Sequence, residues 1–87
     1  MMADVKQLRG KIDEVDGKIL CFLSERIKIC EAIGFAKKTQ GLPIKDAARE
    51  NEVYKRVRDQ ASKLGLNPVQ VEAVYREIVN MCSSVQE

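Results

Sequence analysis

From residue 5 to residue 36 the chain has no proline, and its apolar residues recur at alternating steps of three and four. They are Val5, Leu8, Ile12, Val15, Ile19 and Phe22, then Ile29, Ile33 and Ala36. This spacing predicts one long helix carrying a coiled-coil-like seam. A helix of about 35 residues is about 52 Å long, yet a compact globule of this chain's length would have a radius of gyration of about 12 Å and a diameter of about 30 Å. The helix outruns its own domain. Two further helices of about 17 residues each would cover roughly half of it. The uncovered seam therefore calls for a second chain, most simply by two-fold pairing. The competing outcome is a bent or frayed first helix in a monomeric three-helix bundle.

The rest of the chain supplies those two helices. Residues 38–45 hold the breakers: Gly41 suits a left-handed cap, and Pro43 cannot continue a helix. Asp46 fits an N-cap, followed by a stripe of Val53, Val57, Ala61 and Leu64 that ends at Gly65. Asn67, Pro68 and Gln70 then mark a third start. Its stripe is Val71, Val74 or Tyr75, Ile78, Cys82 and Val85, and Gln86 extends the Tyr75, Val79, Cys82 row. The expectation is an all-α fold, one long helix and two shorter ones, in a single domain over residues 1–87. Tyr54, Tyr75, Phe22 and Phe35 read as core or interface, and Met81 as gap-filler.

Composition narrows the chemistry. There is no histidine, so Ser-His-Asp, Cys-His and zinc-hydrolase arrangements are excluded, and no metal site is expected. Lys+Arg 15 against Asp+Glu 13, with no Trp and 5% aromatics, is not the composition of a nucleic-acid reader. No apolar stretch suits a membrane span or a secretory signal, so no membrane partner is expected. The cysteines are Cys21, Cys30 and Cys82, an odd number without a C-x-x-C pair. Cys21 and Cys30 stand about 13 Å apart along a helix and on opposite faces, too far to bridge. A reduced, cytoplasmic chain is expected.

Polar residues occupy positions where the pattern expects apolar ones. Arg26 breaks the seam, and Lys37, eleven residues on, returns to within about 20° of the same face about 16 Å away. Asp46 and Glu50 extend the stripe of the second helix backwards, and Gln86 that of the third. Burying the Arg26 charge unpaired would cost several kcal/mol, so it must meet an internal carboxylate or an anionic ligand. Arg9 lies about 25 Å from Arg26 on the same helix, so the two could grip one small molecule only across an antiparallel pair of chains. Cations and hydrogen-bond donors without a base suit binding of a multiply anionic molecule, or catalysis by positioning and electrostatics.

The segments LRGKIDEVDGKIL, SERIKICEAIGFAKK and GLPIKDAARENEVYKRV, followed by a third helix carrying Gln86, resemble the all-helical chorismate mutases of the AroQ class over nearly the whole chain. The resemblance implies an intertwined homodimer of three-helix protomers with shared sites. It implies rearrangement of chorismate to prephenate, a pericyclic step that needs no cofactor, metal or acid-base residue. By motif match, Arg26 and the neighbouring chain's Arg9 would bind the two carboxylates of the substrate. Lys37 and Gln86 would donate to the ether oxygen as the C–O bond breaks. Glu50, with Asp46 and the backbone near Arg49, would hold the ring hydroxyl and the reactive conformer. Cys82 departs from the pattern: it stands where the family often has a Ser near the carboxylate. That contact would be lost, made by backbone or taken by Ser83, with Cys82 either a weak donor or a small apolar filler. Two other readings are an isochorismate-pyruvate lyase of the same fold, disfavoured by the acidic pair Asp46 and Glu50, and a non-catalytic helical dimer that senses a metabolite. The second is disfavoured by Arg26 itself, since a pure dimerisation module would gain from Leu or Ile there.

Overall fold

The computed structural model describes residues 4–87; Met1–Ala3, which open the segment expected to lack a signal sequence, lie outside them. Three helices account for the architecture: α1 (Val5–Gln40), α2 (Ala47–Lys63) and α3 (Pro68–Gln86). α3 packs on both of the others, while α1 and α2 stand apart across a cleft. The described residues extend 60 × 23 × 15 Å with a radius of gyration of 16.5 Å, well above the about 12 Å of a compact chain of this length. Among the described residues no helix is long and apolar enough to cross a membrane.

α1 starts at Asp4, whose carboxylate accepts the Gln7 N–H at 2.8 Å, and it runs one turn beyond the expected end. It stops at Gly41, which has φ 69°. There the Gly41 N–H reaches Lys38 O at 3.3 Å and the Leu42 N–H reaches Lys37 O at 2.8 Å, a Schellman pair that closes the last turn. Lys38, Thr39 and Gln40, expected in the loop, are helical because only at Gly41 can the backbone turn left-handed without a Cβ penalty. Gly65, with φ 74°, ends α2 in the same way, the Leu66 N–H reaching Ala61 O at 2.8 Å. Asn67 caps α3 by accepting from Val69 and Gln70 N–H.

The core lies between α2 and α3, where Val53, Tyr54 and Val57 meet Val79, with Val71 and Tyr75 against them. On α3 the Tyr75, Val79, Cys82, Gln86 row faces inward, whereas Val74 and Val85 are exposed. Leu64, expected in the stripe of α2, is exposed at its end, and so are Phe22 and Phe35 of α1. The seam over residues 5–22 is bare: Ile12 is 60% exposed and Phe22 70%. Outside the core, Glu72 of α3 pairs with Arg58 of α2 and with Arg76, whose Nη2 stands at 2.9 Å. The Arg76 guanidinium carbon lies 4.3 Å above the Tyr54 ring.

α1 and α3 are also joined covalently. Cys30 and Cys82, with Cα atoms 5.4 Å apart, form a disulfide across a sequence separation of 52. This corrects the expectation of a reduced chain. The helical spacing that separates Cys21 from Cys30 says nothing about Cys82, which a different helix brings alongside. Closing a loop of this size contributes about 4 kcal/mol by the chain-entropy estimate. Cys21 is free and exposed.

Candidate functional site

A cavity of about 430 Å³ opens in the cleft, its walls made by α1 and α2 and its floor by α3. Its polar lining is Arg26 and Lys37 from α1, Asp46 at the α2 N-cap, Arg49, Glu50 and Arg56 from α2, and Ser83 and Gln86 from α3. Four cations face two carboxylates, so the cavity favours an anion.

Lys37 sits in the last turn of α1, which the Gly41 cap closes. Its Nζ donates to Ile44 O at 2.6 Å and to Gln86 Oε1 at 2.9 Å. An ammonium group has three donors and no acceptor, so the Gln86 carbonyl must face Lys37. One N–H of Lys37 and the amide N–H pair of Gln86 therefore remain for a ligand. Gln86 is 9% exposed. It reaches this place because position 34 is glycine: a Cβ there would stand 2.8 Å from Gln86 Cα and 3.0 Å from its Cβ and Cγ. The two helices touch backbone to backbone at the point where the Lys37–Gln86 pair forms.

Arg26 is half-buried, as expected for a charge in the seam, but it meets no carboxylate. Its Nη1 is 2.6 Å from the Cys82 sulfur and 3.7 Å from that of Cys30. Among the described residues the ion pairs are Arg49–Glu52, Arg58–Glu72 and Arg76–Glu72, so neither Arg26 nor Lys37 is neutralised within the chain. Of the two partners the sequence leaves open for Arg26, the internal carboxylate is absent from this structure. Disulfide sulfurs are weak acceptors that carry no charge, and Arg26 keeps its positive charge on the α1 wall of the cavity.

The structure brings together Arg26, Lys37, Asp46, Arg49, Glu50, Cys82 and Gln86. It uses some of them differently from expectation. The Asp46 carboxylate caps α2, accepting the Arg49 N–H at 3.0 Å, so its first task is structural. The Arg49 guanidinium leans on Glu52 at 3.3 Å in the exposed rim. Cys82 is neither a free thiol donor nor a simple apolar filler, since its sulfur is bonded to Cys30. Arg9 is exposed and does not line the cavity. Two lining residues escaped the sequence reading of the site. Arg56 continues the face of Asp46, Glu50 and Val53 by one more helical step and could have been found by extending it; Cys30 is legible as part of a second apolar stripe with Leu20, Leu23, Ile27 and Gly34, but nothing along the chain marks its partner on another helix.

Known proteins resemble this chain over nearly its whole length. Residues 8–87 match the family model described as chorismate mutase type II. The chain is 34% identical over 89 residues to a bifunctional chorismate mutase/prephenate dehydratase of Aquifex aeolicus, covering 99% of this chain and 25% of that protein. It is 38% identical over 58 residues to a chorismate mutase of Methanocaldococcus jannaschii, covering 67% of this chain and 59% of that one. A solved structure of a conserved hypothetical protein from Pyrococcus furiosus superposes with a TM-score of 0.76 at 31% identity, covering all of both chains. The chain spans between a fifth and a quarter of the first curated relatives it matches. With an all-helical cleft in which Arg26 and Lys37 are left without a carboxylate, and a family match over nearly its whole length, the chain belongs to the chorismate mutase type II family.

Proposed function

We propose that this chain, taken as one domain over residues 1–87, rearranges chorismate to prephenate as a homodimer. The observation that carries the reading is the Lys37–Gln86 pair, 2.9 Å apart, at one side of a cavity whose α1 wall carries the unneutralised Arg26. In the rearrangement one C–O bond breaks and one C–C bond forms within a single molecule. No proton, electron or second substrate is needed, which suits a site without histidine.

The work of the protein is then to hold a folded conformer and to stabilise charge that grows on the ether oxygen. Arg26 takes one carboxylate. The free N–H of Lys37 and the amide N–H pair of Gln86 converge on the ether oxygen. Because that charge exists only as the bond breaks, these bonds strengthen in the transition state, and each is worth on the order of 10²–10³ in turnover. Glu50 accepts from the ring hydroxyl, with Asp46 holding the first turn of α2 that carries Glu50.

The second copy supplies what one chain lacks. The bare seam of residues 5–22 is the natural interface, since an apolar strip of this length is not left in water. Antiparallel pairing along it brings the second copy's Arg9 toward the cavity as the grip on the other carboxylate. Incubation with chorismate, with product identified chromatographically against a no-enzyme control, tests the reading. Prephenate above the spontaneous background supports it, and no acceleration from a folded dimer rejects it. Pyruvate release from isochorismate would move the assignment to the lyase.

A further inference from the structure

The Cys30–Cys82 disulfide occupies a functional position. Both cysteines line the cavity, and both sulfurs lie against the Arg26 guanidinium. On α1 the next turn after Cys30 carries Gly34, and on α3 the next turn after Cys82 carries Gln86. The 30–82 link and the 34–86 backbone contact are thus adjacent rungs between the same two helices.

We infer that Cys30 and Cys82 form a redox-reversible clamp on the active cavity, oxidised in the competent state, which sets the α1–α3 spacing that seats Gln86 and the floor against which Arg26 rests. The inference rests on the mutase reading. Two unbonded thiols need more room than two bonded sulfurs. With the 34–86 rung already closer than a Cβ would tolerate, that room comes from parting the helices at this level or from turning a sulfur toward Arg26. Parting them moves Gln86 away from Lys37; turning the sulfur displaces the guanidinium. The exchange partner is a low-molecular-weight disulfide. The thiolate of one cysteine attacks it, forming a mixed disulfide and releasing one small thiol. The second cysteine then closes the 30–82 bond and releases the other small thiol. Two protein thiols are oxidised and one small disulfide is reduced to two thiols. Both cysteines are buried but line the cavity, so a small thiol would have to reach the pair through the same opening as the substrate.

The test compares the full chain equilibrated with oxidised glutathione and with a dithiol reductant. Thiol counting should find Cys21 alone reactive in the first and all three cysteines in the second. In the reduced form kcat should fall about tenfold and KM for chorismate rise, as displacement of a donor and an anchor together would produce. Cys30→Ser should behave like reduced wild type under both conditions. Unchanged kinetics at 25 °C with a lowered Tm would reduce the disulfide to a staple and overturn the proposal, as would a thiol count of three after oxidation. Calorimetric binding of prephenate separates this inference from the reading beneath it. Weaker binding in the reduced form, with no turnover in either, rejects the mutase and keeps the clamp; equal binding in both forms rejects the clamp.

Discussion

The two halves of α1 carry the same seam, exposed at Ile29 and Ile33 as at Ile12 and Val15, but they differ on the adjoining face, to which Cys30 and Gly34 belong. In the C-terminal half, Cys30 and Gly34 are buried against α3, and Lys37 is held by the end of α3 and by the loop that follows α1. In the N-terminal half, Leu8, Ile12, Val15, Ile19 and Phe22 lie in the open. Heptad spacing alone does not distinguish them. The difference comes from residue size: α3 approaches α1 where Gly34 removes a side chain and Cys30 offers a short one, and it has no such seat among the larger residues upstream. One half of the helix is thus committed within the chain and becomes a wall of the cavity, and the other stays exposed, open to the proposed second copy.

If the committed half carries the chemistry, the largest effect comes from its last turn. Lys37→Ala should lower kcat by about 10²–10³ with little change in KM, because its bond to the ether oxygen strengthens only in the transition state. Steady-state kinetics check this, and a change confined to KM would remove Lys37 from that role. The open half should instead respond through assembly. Ile12→Glu sets a carboxylate in the seam, where burying it unpaired costs several kcal/mol. If the proposed dimer pairs through this seam, analytical ultracentrifugation should find the variant monomeric where the parent chain is dimeric, and activity should fall about tenfold or more at low protein concentration. A variant that stays monodisperse and fully active would show that the seam has no partner. Mixing Arg9→Ala with Arg26→Ala chains sharpens the same point, since a heterodimer rebuilds one complete site from two defective chains.

Gly34→Ala probes the junction between helix and cavity. Alanine favours the helix by about 1 kcal/mol, but overpacking against the Gln86 backbone, 2.8 Å from the added Cβ, costs about 1–3 kcal/mol. Net stability should fall slightly, whereas turnover should fall about tenfold as Gln86 shifts away from Lys37. A variant with wild-type kcat would mean that Gln86 tolerates the displacement. The smallest effect belongs to the α2–α3 side, remote from the cavity. Arg58 and then Arg76 hold the Glu72 carboxyl below its ordinary value of 4.5. A lowered folded-state pKa adds stability above that value, and this contribution is lost as pH falls below it. Glu72→Gln should therefore lower Tm a little at pH 7 and by less at pH 3, and leave kinetics unchanged. An equal shift at both pH values would mean that the side chain acts through packing.

Much of the site is legible as exceptions to a pattern. Arg26, Glu50 and Gln86 are noticed because each sits where helical periodicity calls for an apolar residue, and Lys37 because it returns to the face of Arg26 after about three turns. Asp46 is legible twice over, as a cap and as part of that face; a sequence cannot say which role takes the carboxylate, and the Arg49 N–H decides it. The choice between Val74 and Tyr75 was likewise open until α3 settled its rotation, with Tyr75 turned inward.

The sequence by itself determined the three helices, their caps at Gly41, Asp46 and Asn67, the uncovered seam, and the set of misplaced polar residues. All of these follow from short-range periodicity and from local backbone preferences. Only the tertiary structure decided that Cys82 meets Cys30, that Gly34 is the seat of Gln86, that Arg26 rests on sulfur and not on a carboxylate, and that Arg56 reaches the cavity. Each of these is a contact between helices far apart in the chain, and such contacts depend on where two rigid rods come closest. Spacing along either rod does not encode that point.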